Sequence, residues 1–308
     1  MDAMSESSPN PTALLPRRTV AIAGLGLLGG SLGMALRGAC PELRIIGYAR
    51  REESIRLALE LGAIAEGDTQ PSRILSLADL TVVCMPVSTT VAFIEDHGTV
   101  WSPGSIVTDV GSTKAGLVPA CTRALAPNGV HFVGSHPMAG KERSGLEHAE
   151  ANLYQRASVF LCREDATPPA ALQTVGALWS AVGGRTAEID PTTHDALVAR
   201  SSHVPHLLAA AAVRLLPDLP NAVNATAGAF RDVTRIAASS PSMWTDICRQ
   251  NRTEVLDGLH QLIAMLSQFQ DLIRQEQWDD LLAELEQARR RRLDWEAAKS
   301  RAGGQTSE

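Results

Sequence analysis

The sequence predicts an α/β domain built on a doubly wound sheet, followed by an all-helical domain. Three observations carry that prediction. Short β-rich runs alternate with amphipathic segments from Thr19 to about Asp190. A glycine-rich turn joins the first of these runs to the first helical segment. Beyond Asp190 the strand signal stops and only helical periodicity remains.

In order, the runs 19–23, 44–48, 80–85, 105–110, 130–133, 158–162 and 185–189 read as strands. Between them, 27–37, 52–61, 113–125 and 169–182 carry helical patterns, and such alternation is the mark of a parallel sheet wrapped by helices. After it, 191–216, 222–237, 241–270 and 278–299 read as helices, separated by turn signals at 217–220 and 239–241. Asp190-Pro191 and Ser240-Pro241 each offer a capping side chain followed by proline in the first helical position. The expected organisation is a disordered lead-in over 1–17, a nucleotide-binding domain over 18–190, a helical domain over 191–299 and a flexible tail over 300–308. No appended regulatory domain is expected. The run Arg289 to Arg292 lies among Glu284, Glu286, Asp294 and Glu296, so it reads as a solvated helix face.

The chain has 308 residues, 44% of them hydrophobic, 20% charged, with a net charge of −6, which leaves no footprint for nucleic acid. Its five cysteines are scattered, without a CxxC pair or a histidine at metal-ligand spacing, and read as reduced thiols of a cytoplasmic protein. The most apolar late stretch, near 207–216, is interrupted by Arg214 and is too short to span a bilayer, so no membrane association is expected.

The first strand runs into Gly24-Leu25-Gly26-Leu27-Leu28-Gly29 and then a helix. That order makes the pattern informative and gives the sheet its Rossmann character. Gly24 allows a tight turn, Gly26 lets backbone approach a pyrophosphate, and Gly29 lets helix and strand pack closely. The N–H groups at Leu27 and Leu28 open the helix, where an anion is favoured. An NAD-preferring site usually places an acid at the end of the second strand. Here Ala49, Arg50 and Arg51 stand before the first acid, Glu52. Arginines without a competing carboxylate suit a 2′-phosphate, so NADP is expected as cofactor, with NAD also usable. Pro86 and the segment Asp109-Val110-Gly111-Ser112 fall at strand ends, the edge where open α/β sheets bind ligands.

Four further motifs appear in order: DVGSTK from Asp109, GSHPMAGKERSG from Gly134, THDALVARSSHVPH from Thr193 and FRDVTRIAASSPSMW from Phe230. Behind a Rossmann fingerprint, this series resembles the prephenate/arogenate dehydrogenase family over nearly the whole chain. The resemblance implies a Rossmann domain joined to an all-helical dimerisation domain, a homodimer, and oxidative decarboxylation of a cyclohexadienyl acid on the route to tyrosine. It implies that His136 is the catalytic histidine and that Ser112 hydrogen-bonds near it and the nicotinamide. It further implies that Arg235 grips the ring carboxylate, His206 orients the substrate side chain and Glu142 sits at the pocket entrance. His194, His203 and Trp244 match motif positions without a defined role. Lys141 departs from the family pattern, where a smaller polar residue precedes the glutamate, and adds positive charge there. The chemistry agrees: a neutral imidazole suits acceptance of a hydroxyl proton near neutral pH. Pro137 favours extended backbone at His136. Two alternatives stay open, a relative acting on 4-amino-4-deoxyprephenate and a non-catalytic NAD(P)-binding sensor.

Overall fold

The computed structural model describes Leu15 and residues 18–141, 143–217 and 222–304. Of the expected disordered lead-in only Leu15 is described, and it is buried in the hydrophobic core; residues 305–308 of the tail lie outside the described residues. Eight strands form one sheet: β1 (Thr19–Ala23), β2 (Arg44–Tyr48), β3 (Glu66–Asp68), β4 (Leu80–Val83), β5 (Ile106–Asp109), β6 (His131–Pro137), β7 (Ser158–Cys162) and β8 (Arg185–Glu188). Their order is β3-β2-β1-β4-β5-β6-β7-β8, so the chain reverses its winding between β1 and β4. That switch point opens a crevice at the carboxyl ends of the strands.

The helices of this region are α1 (Leu27–Ala39), α2 (Glu52–Glu60), α3 (Pro71–Leu75), α4 (Val87–His97), α5 (Leu117–Leu125) and α6 (Pro169–Ala181). Alternation along the strands divides the core between the two faces. Val20 and Ile22 of β1 join a cluster with Leu32 and Leu36 of α1 and Val175 and Trp179 of α6. Ala21 and Ala23 point the other way, toward Ile74 and Leu75 of α3, Phe93 and Ile94 of α4 and Val118 of α5. Each fully buried aliphatic side chain of this kind contributes about 1.5–3 kcal/mol.

The structure departs from the expected elements in several places, among them 222–237, where only Gly228–Thr234 is α-helical and short 3₁₀ turns flank it. β3 was not anticipated, because Glu66, Gly67 and Asp68 are a short edge strand with no apolar pattern. β7 runs antiparallel to β6, breaking an otherwise parallel sheet. The helix expected over 113–125 begins only at Leu117, and ahead of it the backbone N–H groups of Lys114 and Ala115 donate to the Asp195 carboxylate. The helix expected over 241–270 is divided at Asn251, whose side chain donates to the Asp195 carbonyl.

Past β8 the chain is helical: α7 (Pro191–Val198), α8 (Val204–Leu215), α9 (Gly228–Thr234) and α10 (Pro241–Gln250). A π turn, Ala199–His203, joins α7 to α8. Pro205 explains it, because proline has no N–H to give and its ring crowds the carbonyl of Ser201 one turn back. The caps expected from Asp190 and Ser240 form, with the side chains accepting from the N–H groups of Thr193 and Met243. Residues up to Arg252 make one compact unit and 253–308 a second. The second comprises nearly all of α11 (Arg252–Arg274) together with α12 (Trp278–Gly304). Arg289, Arg290, Arg291 and Arg292 are exposed on α12, as a solvated face requires. Among the described residues no helix is long and apolar enough to cross a membrane.

Candidate active site

The glycine turn sits at the switch point. Gly24 has φ +109°, and a Cβ there would stand 2.5 Å from the Cys84 carbonyl oxygen at the end of β4. A Cβ on Gly29 would stand 2.1 Å from the Gly24 oxygen, so the turn and α1 close on each other only as glycine. Gly26 faces open space, with nothing within 4 Å of where a Cβ would be. Leu27, Leu28 and Gly29 open α1 without a side-chain cap, which leaves its first N–H groups for an anion. The cradle therefore fits a dinucleotide pyrophosphate. At the end of β2, Ala49 is buried while Arg50 and Arg51 are exposed, Arg51 being the residue before α2. Pro86 directly precedes α4, just past the end of β4, whose Cys84 carbonyl meets the turn.

The other half of the site begins where β5 ends. Thr108 is the last residue of β5 paired with β6, opposite Val133. β6 continues to Pro137, paired with β7 alone, and carries His136 opposite Phe160. The Asp109 carboxylate fills the divergence. One oxygen accepts from Ser135 N at 3.0 Å, and the other from Gly111 N and from Lys114 Nζ, each at 2.7 Å. Lys114 Nζ also donates to the carbonyls of Gly111 and Thr113. Asp109 and Lys114 are both 0% exposed, so this is a buried ion pair whose hydrogen-bonding capacity is used. It braces the loop carrying Ser112, which is half-buried between Gly111 and Thr113. Beneath His136, Ser135 Oγ accepts from Trp179 Nε1 at 3.0 Å and lies 2.6 Å from Thr108 Oγ1.

His136 is buried, and its Nδ1 lies 2.9 Å from His194 Nε2. His194 Nδ1 lies 2.7 Å from Asp195 Oδ1, and that carboxylate also accepts from the N–H groups of Lys114 (2.8 Å) and Ala115 (2.9 Å). Phe160 packs edge-on against the His194 ring. Burial holds the His136 imidazole well below its ordinary range, with further depression from His194, Lys114 and His203. The row continues through Asn251, which donates to the Asp195 carbonyl and lies 3.3 Å from His203 Nδ1. Burial pulls His203 down to about 4, against an upward pull from Asp195. His206, on α8, stacks on Trp244 with ring centroids 3.6 Å apart. The His206 Nδ1 and Trp244 Nε1 atoms are buried without a hydrogen-bond partner.

Arg235 is exposed and opens the turn Arg235–Ala238, against which α8 packs. Asp246 of α10 accepts from the backbone N–H and hydroxyl of Ser88 at the start of α4, joining the helices to the cofactor edge. Lys141 pairs with Glu150 rather than standing as an isolated charge. Glu142 lies outside the described residues. The structure thus groups His136 with His194, His203 and His206. Reading the sequence missed Asp109, Lys114, Asp195 and Asn251. The signals available for them were the shared motif of Asp109 and Lys114 and the adjacency of His194 and Asp195.

Against known proteins, the description "Prephenate dehydrogenase, nucleotide-binding domain" matches residues 32–188. "Prephenate dehydrogenase, dimerization domain" matches residues 190–287. The chain belongs to the prephenate dehydrogenase family. Among family members, the prephenate dehydrogenase of Bacillus subtilis is 34% identical over 85% of this chain and 72% of its own length. The cyclohexadienyl dehydrogenase of Zymomonas mobilis is 31% identical over 89% of this chain and 94% of its own. The Aquifex aeolicus prephenate dehydrogenase in complex with hydroxyphenyl propionate and NAD+ superposes with a TM-score of 0.84 at 33% identity, covering 90% of this chain and 98% of that one. Synechocystis arogenate dehydrogenase gives 0.78 at 28% identity, covering 90% and 99%. Family membership and the expected fold class are thereby established for this chain.

The buried ion pair generates a stability prediction. Lys114→Met leaves the Asp109 carboxylate buried without its cation and should cost about 3–5 kcal/mol, measured by urea unfolding. A loss below about 1 kcal/mol would show that the pair does not brace this edge.

Proposed function

We propose that the protein oxidises and decarboxylates prephenate, arogenate or both, passing hydride to a nicotinamide dinucleotide in tyrosine biosynthesis. The observation that carries this reading is the buried His136 imidazole at the carboxyl edge of a dinucleotide-binding sheet, in a chain of this family. A neutral, buried imidazole is suited to take the ring hydroxyl proton. A dinucleotide held by its pyrophosphate at the glycine turn would supply the hydride acceptor through its nicotinamide. His136 holds the hydroxyl proton while the C4–H bond breaks. It returns that proton to the ring oxygen as the carboxylate leaves as CO₂ and its bonding electrons complete the aromatic ring. Ser112 orients the hydroxyl, Arg235 pairs with the ring carboxylate, and His206, backed by Trp244, positions the side chain; Glu142 is assigned to the entrance. These roles rest on the motif matches. His206 gains support from its buried, unpartnered Nδ1, and Arg235 from its exposed place on the turn packed against α8.

NADP⁺ is the preferred cofactor in this reading, supported by Ala49 and by the exposed Arg50 and Arg51 at the end of β2. Assembly as a homodimer is supported by Ile263, Met265, Ile273, Trp278, Leu282 and Leu285, each at least half exposed in the single chain. The domain division is placed near Asp190, where the two family matches also meet. Free thiols at all five cysteines support a reducing, cytoplasmic setting.

Turnover is measured with prephenate, arogenate and the 4-amino analogue, each with NAD⁺ and NADP⁺. Inactivity with the first two would overturn the reading. NADP⁺ should give the higher kcat/KM, and Ala49→Asp combined with Arg50→Gln should shift preference to NAD⁺; a wild-type preference for NAD⁺ refutes the clamp. His136→Asn should lower kcat about 10²–10⁴-fold with little change in KM. Arg235→Gln should chiefly raise KM, since its contact exists in ground and transition states alike. A base must be unprotonated, so kcat should rise with pH through the depressed pKa of His136. That limb should lie below the usual histidine range and vanish in the Asn variant. Retained kcat in His136→Asn, or an unchanged KM in Arg235→Gln, contradicts the respective role. Light scattering at micromolar concentration should give a dimer, and a monomer there would refute the assembly.

A further inference from the structure

We propose that His194 and Asp195 are positioning residues for the reaction, locking His136 as the tautomer whose Nε2 lone pair faces the substrate's ring hydroxyl. This inference rests on the role of His136 proposed above and adds what makes that role possible. A neutral imidazole has one nitrogen that donates and one that accepts, and only the second can take a proton. Nothing intrinsic to a buried histidine guarantees that the accepting nitrogen faces the substrate.

The hydrogen bonds settle the choice in sequence, starting from Asp195. Its carboxylate accepts from the N–H groups of Lys114 and Ala115, so it is held as an acceptor on both oxygens. His194 Nδ1, 2.7 Å from Oδ1, must therefore donate. In a neutral His194 the remaining nitrogen, Nε2, is then an acceptor. His136 Nδ1, 2.9 Å away, must donate to it, which leaves His136 Nε2 bare. The opposite arrangement requires a charged His194 at a site that is 0% exposed. It would place a proton on His136 Nε2 and abolish its use as a base. The neighbouring cation, Lys114, is already committed to Asp109, and His203 is itself held neutral by burial. Neutral His194, with Asp195 stabilised by two backbone donors, is the cheaper arrangement in so dry a place.

The same row serves the charged state. When the ring hydroxyl gives its proton to His136 Nε2, the imidazolium carries N–H on both nitrogens. Its Nδ1–H then donates to His194 as a charge-assisted bond, with the Asp195 carboxylate behind. The proton leaves again through Nε2 to the phenolic oxygen, so none is gained or lost over the cycle. Asp195 also ties together two distant parts of the site. Its carboxylate binds the loop after Ser112 and, through His194, the ring on β6.

Two measurements test the proposal. In protein labelled with ¹⁵N-histidine, long-range proton–nitrogen spectra identify the unprotonated ring nitrogen of His136, assigned by its loss in His136→Asn. Wild type should show Nε2 unprotonated and Nδ1 protonated; the reverse overturns the proposal whatever the His194 variants do. Kinetically, His194→Leu removes the acceptor and should lower kcat about 10–10³-fold while KM for prephenate stays within about threefold. His194→Gln offers an amide oxygen to His136 and an amide N–H to Asp195, and should recover at least about tenfold of that loss. A Leu variant with wild-type kcat, or a Gln variant no better than Leu when both melt like wild type, refutes the positioning role. Failure of the underlying reading looks different, since His136→Asn would then keep wild-type kcat whatever the His194 variants do.

Discussion

Where β5 stops pairing with β6, backbone N–H groups are left inside the protein with no strand to accept them. The Asp109 carboxylate answers that need, taking the N–H groups of Ser135 and Gly111 directly. Burying that carboxylate is costly, and Lys114 folds back from the following loop to offset the cost with a cation. The parting of two strands thus dictates the shape of the loop carrying Ser112 and steadies the stretch of β6 that presents His136. Few other parts of the site would hold their place if this junction relaxed.

The two halves of the site are built by different means. The nucleotide side is mostly backbone: a turn that only glycine can form, and the free N–H groups at the start of α1. The half beyond β5 is mostly side chain, a row of histidines and an indole held by Asp195, Asn251 and close ring packing. Backbone cradles tolerate changes of side chain well. Side-chain rows do not, because each member depends on the atoms of the next.

These differences in construction also explain what could be read from the sequence. Gly29 packs against Gly24 and Ile22, a few residues away in the chain, so strand, turn and helix were all legible. β3 left no trace because its residues are polar and lie at the sheet edge. The direction of β7 was invisible, since its apolar pattern is the same whichever way the strand runs. His136 could be singled out from its motif, but its supports could not. The bond between Lys114 N and Asp195 joins residues 81 apart in the chain. A lysine in a polar loop ordinarily signals solvent, whereas Lys114 is 0% exposed. Only the folded backbone reveals that the N–H groups just ahead of α5 hold Asp195.

The π turn at Ala199–His203 has a consequence for how the helical part can vary. Such a turn is an α-helix that has taken in one extra residue, so everything beyond it is out of phase with everything before. Each residue of an α-helix advances about 100° around the axis. Losing a single residue from this stretch would restore regular winding, yet it would turn the inward face of α8 aside by that angle and carry His206 off the Trp244 indole. The wide turn therefore acts as a phase setting, and the length of the segment between His194 and His206 is as constrained as the identity of either histidine.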